Sequence, residues 1–473
     1  MPYPILRQAA GIALRWYYRE VAVVGAERIP TTGPVLLVVN HFNALVDALV
    51  IGWVVPRRIR ITAKAVLFDN PLLGAFLRSV GIIPLRRTSD ELARRRAGAH
   101  RTASEPAAAA DPARNAASFE AIVAALDAGA AVLIFPEGKS HDEPMLAPLR
   151  TGPARLALAA RDAGKAVGLH IVPIGLVFES KATVRSRVVA VVGDPIEVDA
   201  WTSATEHPAA ELTALIADRL GAVVLTAPTQ ERLEQSQWLA RQVAAILAPA
   251  APPLGAEPSL VEEYTIAARV VRGLDTLESM PPDVQRMAAH ALRDVEALAR
   301  DLEAAGIAPT DAVISLRTVH GARFVVRELA LLAAVGPLAL WGRLTHWVPF
   351  HLARTLALRD VTANDQPAMR TIVLGLLFVL LSYVVQAGIV LALVGWLPAL
   401  AYLLVLPIAA DVDLRYSDRL RAAWGRMRAY LRLRNDRALG AELTERRRRL
   451  AGEIRELDAR VQALEGPRPV SAS

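Results

Sequence analysis

The sequence predicts an α/β protein: a central, mostly parallel sheet flanked by helices, followed by a helical region, a membrane hairpin and a charged helical tail. Three observations carry this. Between residues 21 and 225, short apolar runs alternate with helical stretches, the pattern of a parallel sheet covered on both faces. From Thr371 to Ala410 there are forty residues without one charged side chain. Beyond Leu414, Arg and Glu mix with Leu at helical spacing. Length and composition agree. A chain of 473 residues is too long for one core, and a mean hydropathy of +0.31 speaks for membrane contact.

Residues 4–20 read as an amphipathic helix that lies in a membrane interface, with Arg7, Arg15 and Arg19 as its cationic face; a terminal helix packed on the domain is the alternative. A cleavable signal is not expected, because the apolar stretch Ala9–Leu14 is short and Arg15 interrupts it. The strands expected are Val35–Val39, Ile59–Ala63, Ala131–Phe135, His170–Phe178 and Val188–Val192. Residues 88–116 break the alternation and read as a mobile surface insertion. From 226 to 325 the pattern is helical and soluble, with Pro-rich punctuation at Ala248–Pro258. In the region 326–413, Leu329–Trp341 is apolar but about half a membrane thickness long, and it contains Pro337.

A spanning helix needs ~20 apolar residues, so 371–410 fits two passes, or a re-entrant hairpin, turning at Gly395-Trp396-Leu397-Pro398. Arg343, Arg354, Arg359 and Arg370 precede the pair, and Arg415, Arg419, Arg421 and Arg426 follow it. Basic flanks on both sides place both ends in the cytoplasm. The tail, 414–473, carries Leu443, Leu450, Ile454, Leu457, Val461 and Leu464 at helical spacing, a brief coiled-coil-like repeat.

The net charge is +7, carried mostly by Arg. With so apolar a chain this points to an anionic membrane surface or anionic substrates. No nucleic-acid partner is expected, since no aromatic-rich basic module and no zinc-finger spacing occurs. The chain has no Cys, which excludes disulfides, thiolate metal sites and a Cys nucleophile.

The chemistry concentrates in two places. Asn40-His41-Phe42-Asn43-Ala44-Leu45-Val46-Asp47 follows the first expected strand, and Phe135-Pro136-Glu137-Gly138-Lys139-Ser140-His141-Asp142 follows the third. Polar groups at the carboxyl ends of apolar strands are where α/β enzymes build sites, so one shared site is expected. His41 and Asp47 are six positions apart, ~600° of a continuous helix, and would face different ways on one. They meet only if His41 sits on the turn and Asp47 in the first turns of the following helix. Asn43 would suit that helix as N-cap, and an acid near its start is favoured by the dipole. The carboxylate would then orient one imidazole nitrogen and leave the other for substrate.

No Gly-x-Ser-x-Gly elbow offers a protein nucleophile. His41 is therefore expected to act as general base on a substrate hydroxyl, a role worth ~10²–10⁴ in rate. Gly138-Lys139-Ser140 is not a nucleotide loop, because Leu133 stands where that pattern needs glycine. Glu137 beside Gly138 suits hydroxyl binding, or orientation of a phosphate through backbone N–H groups. Arg86 and Arg87, closing Gly81-Ile82-Ile83-Pro84-Leu85, suit bidentate phosphate recognition, with Lys139 or His141 as alternatives; a solvated pair at a strand end is the bland reading.

Taken in order, Asn-His…Asp, Gly-Ile-Ile-Pro-Leu-Arg-Arg, Phe-Pro-Glu-Gly and Ile171-Val172-Pro173-Ile174-Gly175 resemble the four blocks of the glycerolipid acyltransferase superfamily, the glycerol-3-phosphate and 1-acylglycerol-3-phosphate acyltransferases. The resemblance covers roughly residues 20–200. It implies acyl transfer from an acyl thioester, on coenzyme A or acyl carrier protein, to a hydroxyl of a glycerol phosphate, with no metal and no further cofactor. By match of position His41 would be the base and Asp47 its partner. Arg86 or Arg87, with Glu137 and Gly138, would bind the phosphorylated acceptor, and Pro173 would shape the acyl-side wall.

One departure is informative: five residues separate His41 from Asp47, where the family usually has four. The form His-x-Asn-x-x-Val-Asp with Phe-Pro-Glu-Gly-x-Ser-His-Asp resembles the yeast-type glycerol-3-phosphate/dihydroxyacetone-phosphate acyltransferase branch, which Ser140, His141 and Asp142 also match. The hydrophobic segment near 371–410 is similar to the C-terminal extension of that branch. The resemblance implies a role in phospholipid biosynthesis, with glycerol 3-phosphate or dihydroxyacetone phosphate as acceptor. Lysophosphatidic acid is the alternative acceptor, and a non-catalytic lipid-binding or membrane-tethering protein is the alternative of another class. The expected location is a membrane, the bacterial inner membrane, with membrane lipid as partner and the site facing the cytoplasm.

Overall fold

The computed structural model describes residues 2–85, 112–248, 259–311, 318–359 and 367–465. Arg86, Arg87 and most of the expected insertion at 88–116 lie outside the described residues, as does most of the Pro-rich stretch 248–258. The chain forms two compact units that divide after Val224.

The first unit is the expected α/β layer structure. Its strands are β1 (Glu20–Val24), β2 (Val35–Val39), β3 (Ile59–Lys64), β4 (Ile83–Leu85), β5 (Ala131–Ile134), β6 (His170–Phe178), β7 (Arg187–Val192) and β8 (Ile196–Glu197). They lie in the order β1-β7-β6-β2-β5-β3-β4, with β8 beside β6. Pairing is parallel except where β6 meets β7 and β8. Val35–Val39 is buried at every position, as a strand covered on both faces must be.

The helices are α1 (Pro2–Tyr17), α2 (Ala44–Val54), α3 (Pro71–Val80), α4 (Pro112–Asp127), α5 (Gly152–Asp162) and α6 (Pro208–Gly221). Helix α1 packs on the domain through Leu14 and Tyr17, and the Arg7 guanidinium donates to the carbonyls of Trp53 and Val55. Its outer face still exposes Ile5 and Ile12, and α3 exposes Leu72, Leu73 and Phe76. The two readings of residues 4–20 are thus compatible.

Two parallel neighbours flank β2, so three carboxyl ends meet at one edge of the sheet. Val38 is in register with Ile134 of β5 and with Pro173 of β6. Three residues beyond that level stand His41 and Glu137, so the two sequence clusters arrive side by side. Beyond Val39 the pairing is continued by a side chain: Asn40, fully buried, donates from Nδ2 to the Leu176 carbonyl at 3.1 Å and accepts from the Leu176 N–H at 2.7 Å.

The second unit is helical: α7 (Gln230–Leu247), α8 (Leu260–Thr276), α9 (Pro282–Ala304), α10 (Thr318–Ala357), α11 (Pro367–Leu393), α12 (Trp396–Asn435) and α13 (Arg437–Glu465). Helix α8 starts at a capping box between Ser259 and Glu262. Its soluble core joins Leu239 and Val243 of α7, Leu298 of α9, Leu433 of α12 and Leu450 of α13.

Among the described residues, three helices are long and apolar enough to cross a membrane: Gly321–Ala357, Pro367–Leu393 and Trp396–Asn435. The sequence pointed to two. Leu329–Trp341, half a membrane thickness on its own, is part of the 40-residue α10, whose helix runs on through Pro337 and Pro349. Helices α10 and α12 run antiparallel, with Gly321 against Tyr430 and Gly342 against the Ala409 backbone. A side chain at Gly342 would collide with that backbone, so the glycine is what lets the helices approach. Several of the flanking arginines are held by acids: Arg343 by Asp413, Arg419 by Glu328 and Arg426 by Asp311.

Candidate active site

The chain leaves β2 at Asn40 and turns into α2 within four residues. His41 falls on the turn and Asp47 in the first turn of the helix. The imidazole Nδ1 lies 2.9 Å from Asp47 Oδ2, and the same oxygen accepts the Asn43 N–H at 2.8 Å. Asp47 is fully buried, and its Oδ1 has no hydrogen-bond partner among the described residues. Burial raises its carboxyl above the ordinary 3.8, while the hydrogen bond from His41 pulls the other way. The His41 side chain retains 15% exposure, and its ring stacks on Phe135 with centroids 3.9 Å apart. No hydrogen bond engages Nε2 among the described residues.

Asn43 occupies the N-cap position, but its side chain does not cap the helix. It donates to the Tyr18 hydroxyl at 3.2 Å and toward the Lys181 carbonyl at 3.4 Å. The free N–H at the helix start is taken by the second cluster, where Ser140 Oγ accepts from Ala44 N at 3.1 Å. Ala44 itself has a φ of +47°, a left-handed backbone that an alanine adopts only under constraint.

Glu137 is 2% exposed, and its carboxylate is engaged from three sides. Oε1 accepts the His41 N–H at 2.6 Å. Oε2 accepts the Ala147 N–H at 2.8 Å and is held by His141 Nε2. The His141 N–H returns to the His41 carbonyl at 3.2 Å. The two segments are therefore stitched by backbone and side chain together, and Glu137 positions the turn that carries His41. Gly138, at φ +79°, closes the turn begun at Phe135. Lys139 is exposed. Pro173 is buried inside β6, where the Gly193 N–H donates to its carbonyl.

Two cations near this turn were not singled out in the sequence. Arg150 is exposed, and its side chain runs past Gly138, where an added Cβ would stand 3.5 Å from its Cγ. Lys181, on the loop after β6, pairs with Asp142 at 3.0 Å and lies 5.0 Å over the Phe42 ring. Both come from irregular loops whose sequence carries no spacing to mark them. Among the described residues, one set of three potential metal donors comes within 4.8 Å, His290, Asp294 and Glu453, and it lies in the helical unit.

With this geometry the known proteins can be compared. The family model described as Acyltransferase matches residues 20–177, the span that holds both clusters. Glycerol-3-phosphate O-acyltransferase 2 of Saccharomyces cerevisiae is 33% identical over 124 residues, 25% of this chain and 17% of that enzyme. Glycerol-3-phosphate O-acyltransferase 1 of the same yeast is 36% identical over 115 residues, 23% of this chain and 15% of that enzyme. An uncharacterized acyltransferase of Schizosaccharomyces pombe is 24% identical over 295 residues, 47% of this chain and 44% of that protein. The chain thus spans less than half the length of these relatives. Among solved structures, the 1-acyl-sn-glycerophosphate acyltransferase PlsC of Thermotoga maritima aligns at a TM-score of 0.33 with 15% identity, over 46% of this chain and 77% of that one. Residues 20–177 match the acyltransferase family model, and within this span the chain is similar to the glycerol-3-phosphate O-acyltransferases of yeast.

Proposed function

We propose that the protein is a membrane-bound O-acyltransferase that moves a fatty acyl group from an acyl thioester to a hydroxyl of glycerol 3-phosphate or dihydroxyacetone phosphate, a step of phospholipid biosynthesis. The observation that carries this reading is the His41–Asp47 pair, 2.9 Å apart with Nε2 unengaged among the described residues, inside a domain similar to glycerol-3-phosphate O-acyltransferases.

In this mechanism Asp47 accepts a hydrogen bond from Nδ1–H, which holds the tautomer whose Nε2 lone pair is free for substrate. Nε2 takes the hydroxyl proton as the oxygen attacks the thioester carbonyl. As the tetrahedral adduct collapses the C–S bond breaks, and the imidazolium returns its proton to the departing thiolate. The products are an ester and a free thiol, and the residues regain their starting protonation. Neither a covalent acyl-enzyme nor a metal or other cofactor enters this scheme. Glu137 fixes the backbone of the base, and Arg86, Arg87, Lys139 and Arg150 are the cations proposed to bind the acceptor's phosphate beside Gly138 and Ser140. The thioester is carried on coenzyme A or acyl carrier protein, which present the same phosphopantetheine arm.

The apolar helices and the exposed apolar side chains of α1 and α3 support a membrane location, with membrane lipid as partner. Both substrates are water-soluble phosphates or thioesters of the cell interior, so the site is proposed to face the cytoplasm. The deciding experiment incubates the purified protein with labelled acyl thioester and each acceptor in turn. Product from glycerol 3-phosphate or dihydroxyacetone phosphate is expected. Product from lysophosphatidic acid alone would reassign the acceptor, and no product from any would favour a lipid-binding role.

A further inference from the structure

The helical unit holds a cleft that the acyl-transfer chemistry does not use. It lies between α7, α8, α9 and α13 and has a volume of about 180 Å³. For scale, an engineered apolar cavity of ~150 Å³ admits benzene. Val243 and Leu247 of α7, Ile266 and Val270 of α8, Leu292 of α9 and Ile454 of α13 are among its walls. Ile266, Val270 and Ile454 remain half-buried, because the bundle leaves this seam unfilled. Gly273 of α8 widens it further, since a Cβ there would meet nothing within 4 Å.

Three charged side chains stand around the cleft, Arg269, Arg455 and Asp458. Arg269 and Asp458 neutralise one another at 3.1 Å. Arg455 is exposed and forms no ion pair among the described residues. An apolar slot with one uncompensated cation at its edge suits a ligand with one hydrocarbon chain and one acidic head.

We propose that this cleft binds a single-chain anionic amphiphile, the part of its chain nearest the head between α7, α8 and α13, the rest leaving through the open side, and its acidic head on Arg455. Ligands of this class include long-chain fatty acids and monoacyl glycerol phosphates. The link to the enzyme's own product rests on the acyl-transfer reading. The binding does not, and it can be read without turnover, so failure of one leaves the other standing.

The test uses the full-length protein in nanodiscs of neutral phosphatidylcholine. Three photoreactive probes with a diazirine in the same hexadecyl-length chain are compared: a fatty acid, a monoacyl glycerol phosphate and the uncharged alcohol. Crosslinked peptides are located by mass spectrometry. Labelling by either acid is expected on the cleft-lining segments of α7, α8 and α13. Labelling by the phosphate ester alone supports the site and narrows its head group; equal labelling by both acids supports a reading of charge alone. Gly273→Leu, which fills the cleft without removing any core atom, should cut this labelling at least tenfold. Arg455→Gln should cut it several-fold, and neither should change labelling of α10–α12 by bulk lipid contact. Label confined to α10–α12 would overturn the proposal, as would cleft labelling that survives both variants. Equal labelling by the alcohol would overturn the anionic head.

Discussion

The His41 imidazole and the Asp47 carboxylate meet at 2.9 Å because a strand ends and a helix begins between them. A continuous helix would set residues six apart on different faces. Here the turn supplies the reversal, the Ser140 hydroxyl satisfies the Ala44 N–H, and Asp47 takes the Asn43 N–H as well as the ring. The pair is held from both sequence clusters at once.

Asp47 is costly to keep. Its folded pKa lies above 3.8, so between that value and the raised one the native state binds more protons than the unfolded state. Stability then falls as pH rises through this window, and below it both states are protonated and the cost disappears. Asp47→Asn carries no charge. Its melting temperature should exceed the wild type's at about pH 7 and converge with it at about pH 3, while turnover falls ~10²–10⁴-fold for want of a carboxylate on Nδ1. Paired melting curves across pH, with an assay at neutral pH, check both halves. A variant less stable than wild type at neutral pH would contradict the sign.

Glu137 separates two roles that the sequence leaves joined. If it only positions His41, Glu137→Gln should lower kcat and the melting temperature while leaving the acceptor KM within about threefold. One oxygen then becomes a donor facing the His41 or Ala147 N–H, a loss of about 1–3 kcal/mol. A large rise in acceptor KM with kcat preserved would return Glu137 to substrate binding.

The acceptor's phosphate needs a cation. Arg150→Ala, Arg86→Ala and Arg87→Ala are each expected to weaken acceptor affinity, and not thioester affinity, at whichever position makes the contact. A charge-assisted pair is worth about 1.5–3 kcal/mol, a roughly 10- to 150-fold rise in acceptor KM. Steady-state kinetics with both substrates varied makes the distinction. Unchanged acceptor KM in all three, and in the triple variant, would move the contact to Lys139 or Lys181.

The antiparallel run of α10 against α12 constrains topology. Their soluble ends, near Gly321 and Tyr430, lie together, so the chain before α10 and after α12 should face the same side of the membrane. The natural chain has no Cys, so single cysteines can be placed at will. Ser279→Cys and Glu456→Cys should react with an impermeant maleimide from the same face of sealed vesicles. Reaction from opposite faces would mean three complete passes.

Much of this fold is legible in the sequence, for physical reasons. Val35–Val39, Ala131–Ile134 and His170–Phe178 are apolar runs bounded by polar or turn residues, which only a buried strand produces at that length. Strand β1 was hidden because Glu20 and the aromatic run before it continue the helical pattern of α1, and β4 is three residues long with a proline inside. Helix α10 was underestimated because Pro337 reads as a stop, although a helix packed against a neighbour runs through it. At the site, His41 and Asp47 were legible from spacing at a strand end. The cap from Ser140 and the bond from Glu137 to the His41 N–H were not, since each depends on register between segments about a hundred residues apart, and the nearness of Arg150 depends on the path of an irregular loop.

The central claim, that His41 is the general base of an acyl transfer, is tested most directly by one comparison. Wild-type protein and His41→Ala, both purified from membranes, are mixed with acyl thioester and phosphorylated acceptor, and ester and free thiol are measured together over a single turnover. Matched ester and thiol are expected from the wild type, and a rate ~10²–10⁴-fold lower from the variant. A variant rate within tenfold of wild type would contradict the claim.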